Sequence, residues 1–430
     1  MKPDVLLAHG IGGSTDLPIP LASALIGASW ALTISFAVLA LAWKEPKFDD
    51  EPARRGDDRR TSTVLAAVGL FLAGWVLLAL FGGPESSDNP SSDNPALGAF
   101  YVLLWVGLVP LALLFGHVWR SLSPWRTIQR LIYRAIGREE TEGFMAWPTW
   151  LGYWPAAAGL FAFVWLELAS PEAGSVTAVR IWVLVYASAM LLGSLIFGSR
   201  WFDRGDPFDV YSAIVARLSP FVDADGRFRL HNPLRTLPQI PIDRGLIAVI
   251  AVLLGSTAYD SFSASEFWQS KSAGVEASSL MLVVFIAVVA AAFWTAARAV
   301  GGMDQRERRA LPGLLAHSLV PIVVGYIFAH YLTYLAEKGQ QAVIGLADPL
   351  DRGWGLLSGV EPSFWLSQHP ATLATIKVGF VLTGHILAVI AAHDRALAIL
   401  PEPRRMSGQL AMLVLMVCYT FGGLYLLFSV

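Results

Sequence analysis

The chain reads as an all-α, polytopic helical membrane protein of about ten transmembrane helices, with the N-terminus and C-terminus outside. Three observations predict this class. Of 430 residues, 55% are apolar and only 15% charged, and the mean hydropathy is +0.54. Apolar runs of about 20 residues, the length that crosses a bilayer, recur from end to end. The lysines and arginines collect between alternate runs. A formal charge of −2 carries no basic footprint, so the expected partner is the lipid bilayer and no nucleic acid. Cys418 is the single cysteine, which removes intrachain disulfides and Cys-rich metal sites.

The spans fall at residues 20–43, 62–82, 96–118, 148–168, 178–198, 245–263, 278–300, 312–336, 371–394 and 408–429. With the N-terminus outside, the loops after the odd-numbered spans hold 24 of the 31 basic residues. The N-terminal tail and the opposite loops hold only Lys2, Lys271, Lys338 and Arg352, while Arg180, Arg298 and Lys377 lie within spans. Positive charge favours the cytoplasmic face, which sets the orientation. No loop is long enough to bury a core of its own, so residues 1–430 read as a single integral membrane domain.

Two inner loops carry amphipathic helices. Over about 121–138, Trp125, Ile128, Leu131, Ile132 and Ile136 form an apolar stripe. Arg126, Arg130 and Arg134 repeat every fourth position on another face, so an interfacial helix with arginines toward lipid phosphates is expected. A second such helix is expected over about 207–220, in FDVYSAIVARLSPF. On the outer side, residues 337–370 join the two histidine-bearing spans, a length typical of lids and binding elements and also of a plain cap.

Chemistry points to the histidines. His317 and His330 lie in the span at about 312–336, and His385 and His393 in the span at about 371–394. Ionisable groups at membrane depth are costly and face a bundle interior or cavity. At about 1.5 Å per residue, His317 shares the level of His385 and His393, with Asp394 beside the last. His330 lies nearer the outer surface, level with Asp260, His369 and Lys377. Two candidate sites follow: an inner set of His317, His385 and His393, and an outer set of His330 and Asp260, with His369 and His9 as further donors. Either could hold copper or zinc, because imidazole and carboxylate suit such ions. One haem b between His317 and either His385 or His393 is also geometrically open. Two haems are not expected, because the histidine spacings on the two helices differ. The plainer alternative is that these histidines hydrogen-bond between helices, each adding about 1 kcal/mol. A transporter or metal-uptake protein would also place polar groups at two depths, with Pro321 and Gly325 marking a broken helix. Lys377 is close enough to the outer surface to snorkel.

The opening AHGIGGSTDLPIP, the loop WFDRGDPFDVYSAIVARLSP, the stretch LLGSTAYDSF, the pair AHSLVPIVVGYIFAHY and the ending GHILAVIAAHDRAL resemble a family of polytopic bacterial membrane proteins labelled fenitrothion hydrolase. The similarity covers essentially the whole chain. It implies a bacterial inner-membrane protein with metal-dependent hydrolase activity on organophosphate triesters, in which a metal-bound water attacks phosphorus and a nitrophenolate leaves. Membrane redox work with copper or haem b, alone or with a partner subunit in the membrane, is the alternative that the same ligands allow. Members of that family carry a signal peptide ahead of AHG. Cleavage after Ala8 would make His9 the terminal residue, offering both an amine and an imidazole to copper.

Overall fold

The computed structural model describes residues 16–48, 63–85, 94–224, 227–354, 356–357 and 359–428. Its main helices are α1 (Leu21–Ala42), α2 (Thr63–Gly82), α3 (Pro95–Leu104), α4 (Leu108–Phe115), α5 (Pro124–Ala135), α6 (Trp154–Leu168), α7 (Val176–Phe197) and α8 (Pro207–Ala216). They continue as α9 (Leu246–Ser263), α10 (Val275–Arg298), α11 (Gln305–Leu315), α12 (Val320–Thr333), α13 (Gly339–Leu346), α14 (Pro370–Ile399) and α15 (Leu410–Phe428). The strands among the described residues form one hairpin, β1 (Phe221–Ala224) antiparallel to β2 (Arg227–Leu230).

The chain is thus an all-α, multi-pass membrane protein. Among the described residues, eight helical stretches are long and apolar enough to cross a bilayer, and α3 with α4, bent by 45°, makes a ninth if counted as one span. The remaining sequence-read span is α6, whose 15 residues fall short of a full crossing. The bend between α3 and α4 follows from local chemistry. Ala99–Leu104 is wound as a π-helix, and Pro110 has no N–H to return to Val106, so the ladder is interrupted where Gly107 gives the backbone room.

The structure divides into two compact units. The first comprises Met1–Arg54, His231–Leu332 and Trp365–Val430; the second comprises Arg55–Leu230 and Thr333–Phe364.

In the first unit, α1 illustrates how an all-apolar helix is sorted. Ala24, Leu25, Ala28, Leu32 and Phe36 are buried, while Ile26, Trp30, Ile34 and Val38 on another face are exposed to the surroundings. Such a helix suits a lipid environment, because both faces are apolar and one has no protein to cover it. The most enclosed long helix wholly within this unit is α9, with 72% of its apolar window buried against 22% for α10. Small residues set the close approaches. A Cβ on Gly255 would lie 2.6 Å from the Ile286 Cα. One on Gly325 would lie 2.6 Å from the Phe380 carbonyl oxygen, and one on Gly384 would lie 2.5 Å from that of Pro321. Helices α12 and α14 therefore cross backbone to backbone, as small residues permit in membranes.

In the second unit, an aromatic cluster joins α3, α6, α7 and α8. Phe100 lies 4.9 Å from Phe163 and 5.0 Å from Trp182, and Phe208 lies 5.5 Å from Tyr186, centroid to centroid. Both amphipathic helices depart from the sequence reading here. Arg126 and Arg130 of α5 are buried rather than turned to lipid phosphates, while Arg134 is exposed together with Leu131, Ile132 and Ile136. The cause is electrostatic. Arg126 meets Asp203 at 2.8 Å and Asp209 at 3.1 Å, and Arg130 meets Glu140 at 2.8 Å, so protein carboxylates replace phosphates. Helix α8 is buried along most of its length rather than lying on a surface. Phe208, Val210, Tyr211, Ile214 and Val215 give it apolar groups on several faces, which only enclosure satisfies.

Gly384→Leu tests the close crossing. Forcing a branched side chain between α12 and α14 should cost about 1–3 kcal/mol of stability. The expected result is a lowered thermal midpoint in detergent; an unchanged midpoint would show that the helices do not meet there.

Candidate functional site: a buried aspartate and histidine

The last turn of α9 presents Asp260 and Ser261, and α12 presents Tyr326, His330 and Tyr331; all five are buried, His330 completely. Asp260 Oδ2 accepts hydrogen bonds from His330 Nε2 and from Tyr331 Oη, each at 2.8 Å. Adjacent residues of a regular helix point about 100° apart, so two neighbours rarely reach one atom. The backbone resolves this by leaving helical geometry at Tyr331, where φ is −102° and ψ is 16°. That sparsely populated region is one in which functional residues recur.

With Asp260 ionised, the carboxylate can only accept, which assigns the shared proton to His330 Nε2 and the lone pair to Nδ1. Nδ1 lies 3.1 Å from Ser261 Oγ. Ser261 Oγ in turn lies 3.0 Å from Tyr326 Oη. Tyr326 and His330, one turn apart on α12, stack with ring centroids 6.3 Å apart. The arrangement is an ordered line of carboxylate, imidazole and hydroxyl, able to hold and pass a proton in an apolar surround.

The other expected site residues separate. His317 is buried in the turn Ala316–Leu319 that precedes α12. His385, also buried, donates from Nδ1 to the Val381 carbonyl at 2.8 Å, and its Nε2 has no hydrogen-bond partner among the described residues. His393 spends both ring nitrogens on other groups, Nδ1 meeting Gln409 Oε1 at 2.8 Å and Nε2 the Trp43 carbonyl at 3.0 Å. Its neighbour Asp394 binds the Trp43 indole N–H at 3.2 Å and the Lys47 and Phe48 amides at 2.6 and 3.2 Å. The pair therefore clamps the segment after α1 onto α14. His369 is exposed and stacks on Trp365 at 4.4 Å, apart from the cluster it was grouped with. Lys377 does not snorkel: it is fully buried, within electrostatic reach of Asp16. His9 lies outside the described residues.

Among the described residues, no three His, Cys, Asp or Glu side chains come together to hold a metal ion. The outer pair supplies two donors that are already bonded to each other, and the inner set loses His393 to Gln409 and Trp43.

Sequence reasoning passed over a second buried polar cluster, in the second unit. Asp206 caps α8 by accepting from the Phe208 amide at 3.0 Å, and it also accepts from Tyr186 Oη at 2.8 Å and Trp119 Nε1 at 3.3 Å. Asp209, one turn on, meets Arg126 at 3.1 Å and His117 at 3.2 Å. Burial and the neighbouring Asp209 charge push the Asp206 carboxyl well above the ordinary carboxylate range. Burial also acts to raise Asp209, but His117 and Arg126 outweigh it and hold that carboxyl below the range. The spacing of Asp203, Asp206 and Asp209 was a usable signal, because steps of three place them along one helical face.

Comparison with protein-family models, curated proteins and solved structures returned no match. Fold and composition define the class, a multi-pass helical membrane protein.

Two outcomes follow from the second cluster. Arg126→Leu leaves the buried Asp209 carboxylate with His117 as its remaining cationic partner and should cost about 3–5 kcal/mol, read as a lost or strongly lowered unfolding transition. The raised Asp206 group stabilises the fold fully below the ordinary carboxylate value of about 4, and that contribution is lost as pH rises through its folded pKa. Thermal melts should therefore show Asp206→Asn gaining on the wild type as pH rises above about 4. A gap that is flat or moves the other way contradicts the assignment.

Proposed function

We propose that the protein is a bacterial inner-membrane hydrolase acting on neutral, lipid-soluble esters of the organophosphate triester class, with the Asp260 and His330 pair as its acid–base element. The observation that carries this reading is the geometry: His330 Nε2 lies 2.8 Å from Asp260 Oδ2 and Nδ1 lies 3.1 Å from Ser261 Oγ, so a proton on Nε2 leaves Nδ1 as a base facing a hydroxyl. The substrate class comes from the resemblance to the family labelled fenitrothion hydrolase. Physical chemistry agrees with it, since an uncharged triester partitions into a bilayer and a charged diester does not. In the orientation proposed here, with the N-terminus outside, the pair lies in the outer part of the membrane.

The test is nitrophenolate release from a neutral nitrophenyl dialkyl phosphate by protein reconstituted in lipid nanodiscs. His330→Gln and Asp260→Asn should each lower the rate by about 100-fold or more. Release no faster than from empty nanodiscs, or full activity in both variants, would sink the proposal.

A second reading, redox work with copper or haem b, is favoured by His385. Its Nδ1–H is bound to Val381, which leaves Nε2 as a buried lone pair in the ligand-competent tautomer. Metal analysis and a visible spectrum of freshly purified protein test it. Stoichiometric copper or a Soret band, lost in His385→Ala and His317→Ala, would support it; colourless, metal-free protein would end it.

A further inference from the structure

Resting on the hydrolase reading, the geometry points to Ser261 as the nucleophile, and we propose that the reaction passes through a dialkylphosphoryl-serine at this residue. Asp260 Oδ2, His330 and Ser261 Oγ stand in series at 2.8 and 3.1 Å, the order in which a carboxylate orients an imidazole that activates a hydroxyl. Nδ1 faces the serine and Nε2 the aspartate. The two nitrogens exchange roles relative to the commoner arrangement without changing the chemistry, because either can carry the lone pair. Ser261 Oγ has a competing acceptor in the Thr257 carbonyl at 3.3 Å, longer than its contact with His330. Tyr326 Oη, 3.0 Å from Oγ, can donate to the oxygen as its proton leaves, stabilising the charge that develops.

The step balances without a further reagent. Ser261 Oγ bonds to phosphorus, its proton moves to His330 Nδ1, and the phosphorus–aryl oxygen bond breaks with its electron pair leaving on the aryl oxide, which takes the proton from His330. Water then attacks the phosphoryl-serine, its proton passes through His330 to Oγ, and a dialkyl phosphate departs. Ser261 is fully buried, so substrate reaches it only after the side chains over it move; Tyr326, whose ring packs against Gly423, is the cover on one side.

Labelling with a neutral dialkyl fluorophosphate, read by peptide mass spectrometry on wild-type protein in nanodiscs and on two variants, tests this. The expected result is an adduct on Ser261, absent in Ser261→Ala and formed about 100-fold more slowly in His330→Gln. Triester turnover by the wild type with no adduct on Ser261, or undiminished turnover in Ser261→Ala, would overturn the serine and leave the hydrolase reading standing. Neither adduct nor turnover would overturn both.

Discussion

A carboxylate inside an apolar bundle must be paired, because neither lipid nor packed aliphatic side chains can solvate it. Asp260 meets that demand with two donors from α12, and much of the first unit's geometry follows. The backbone of α12 departs from helical values at Tyr331 so that His330 and Tyr331 can both reach Oδ2. The glycines Gly325 and Gly384 let α12 pack tightly on α14, and Gly255 lets α9 do the same against α10. The pairing also decides where the imidazole keeps its lone pair, which links packing to chemistry.

The second unit solves the same problem differently. There the buried carboxylates meet fixed cations as well as neutral donors, Arg126 for Asp209 and a tyrosine, an indole and an amide for Asp206. Arginine in such a place is a structural ion, held by a planar fork that matches a carboxylate. The contrast separates a cluster built to fix a helix from one built with a titratable base at its end.

Much of this was legible in the residues. Hydropathy alone placed the spans, and depth arithmetic put Asp260 level with His330, which the structure joins. Depth is one coordinate of a side chain, and the direction in which it points around the helix axis is another. His317, His385 and His393 share a depth, yet His393 turns to Gln409 and Trp43. Ser261, Tyr326 and Tyr331 went unremarked as partners of the pair because a hydroxyl in an apolar run looks the same whether it returns to its own helix or faces an imidazole. Arg126 of α5 illustrates the same limit: the arginine periodicity is plain, but whether lipid phosphate or protein carboxylate answers this side chain depends on the fold of a segment about eighty residues away.

The central claim is that Asp260 holds His330 with Nε2 protonated and Nδ1 unprotonated, facing Ser261 Oγ. Nitrogen-15 NMR of protein carrying labelled histidine, with His330 assigned by comparison with His330→Gln, reads this directly. The account predicts a protonated Nε2 and a pyridine-like Nδ1 at neutral pH, and a mixture of the two neutral tautomers in Asp260→Asn. A His330 protonated on Nδ1 in the wild type, or one unaffected by Asp260→Asn, would contradict it.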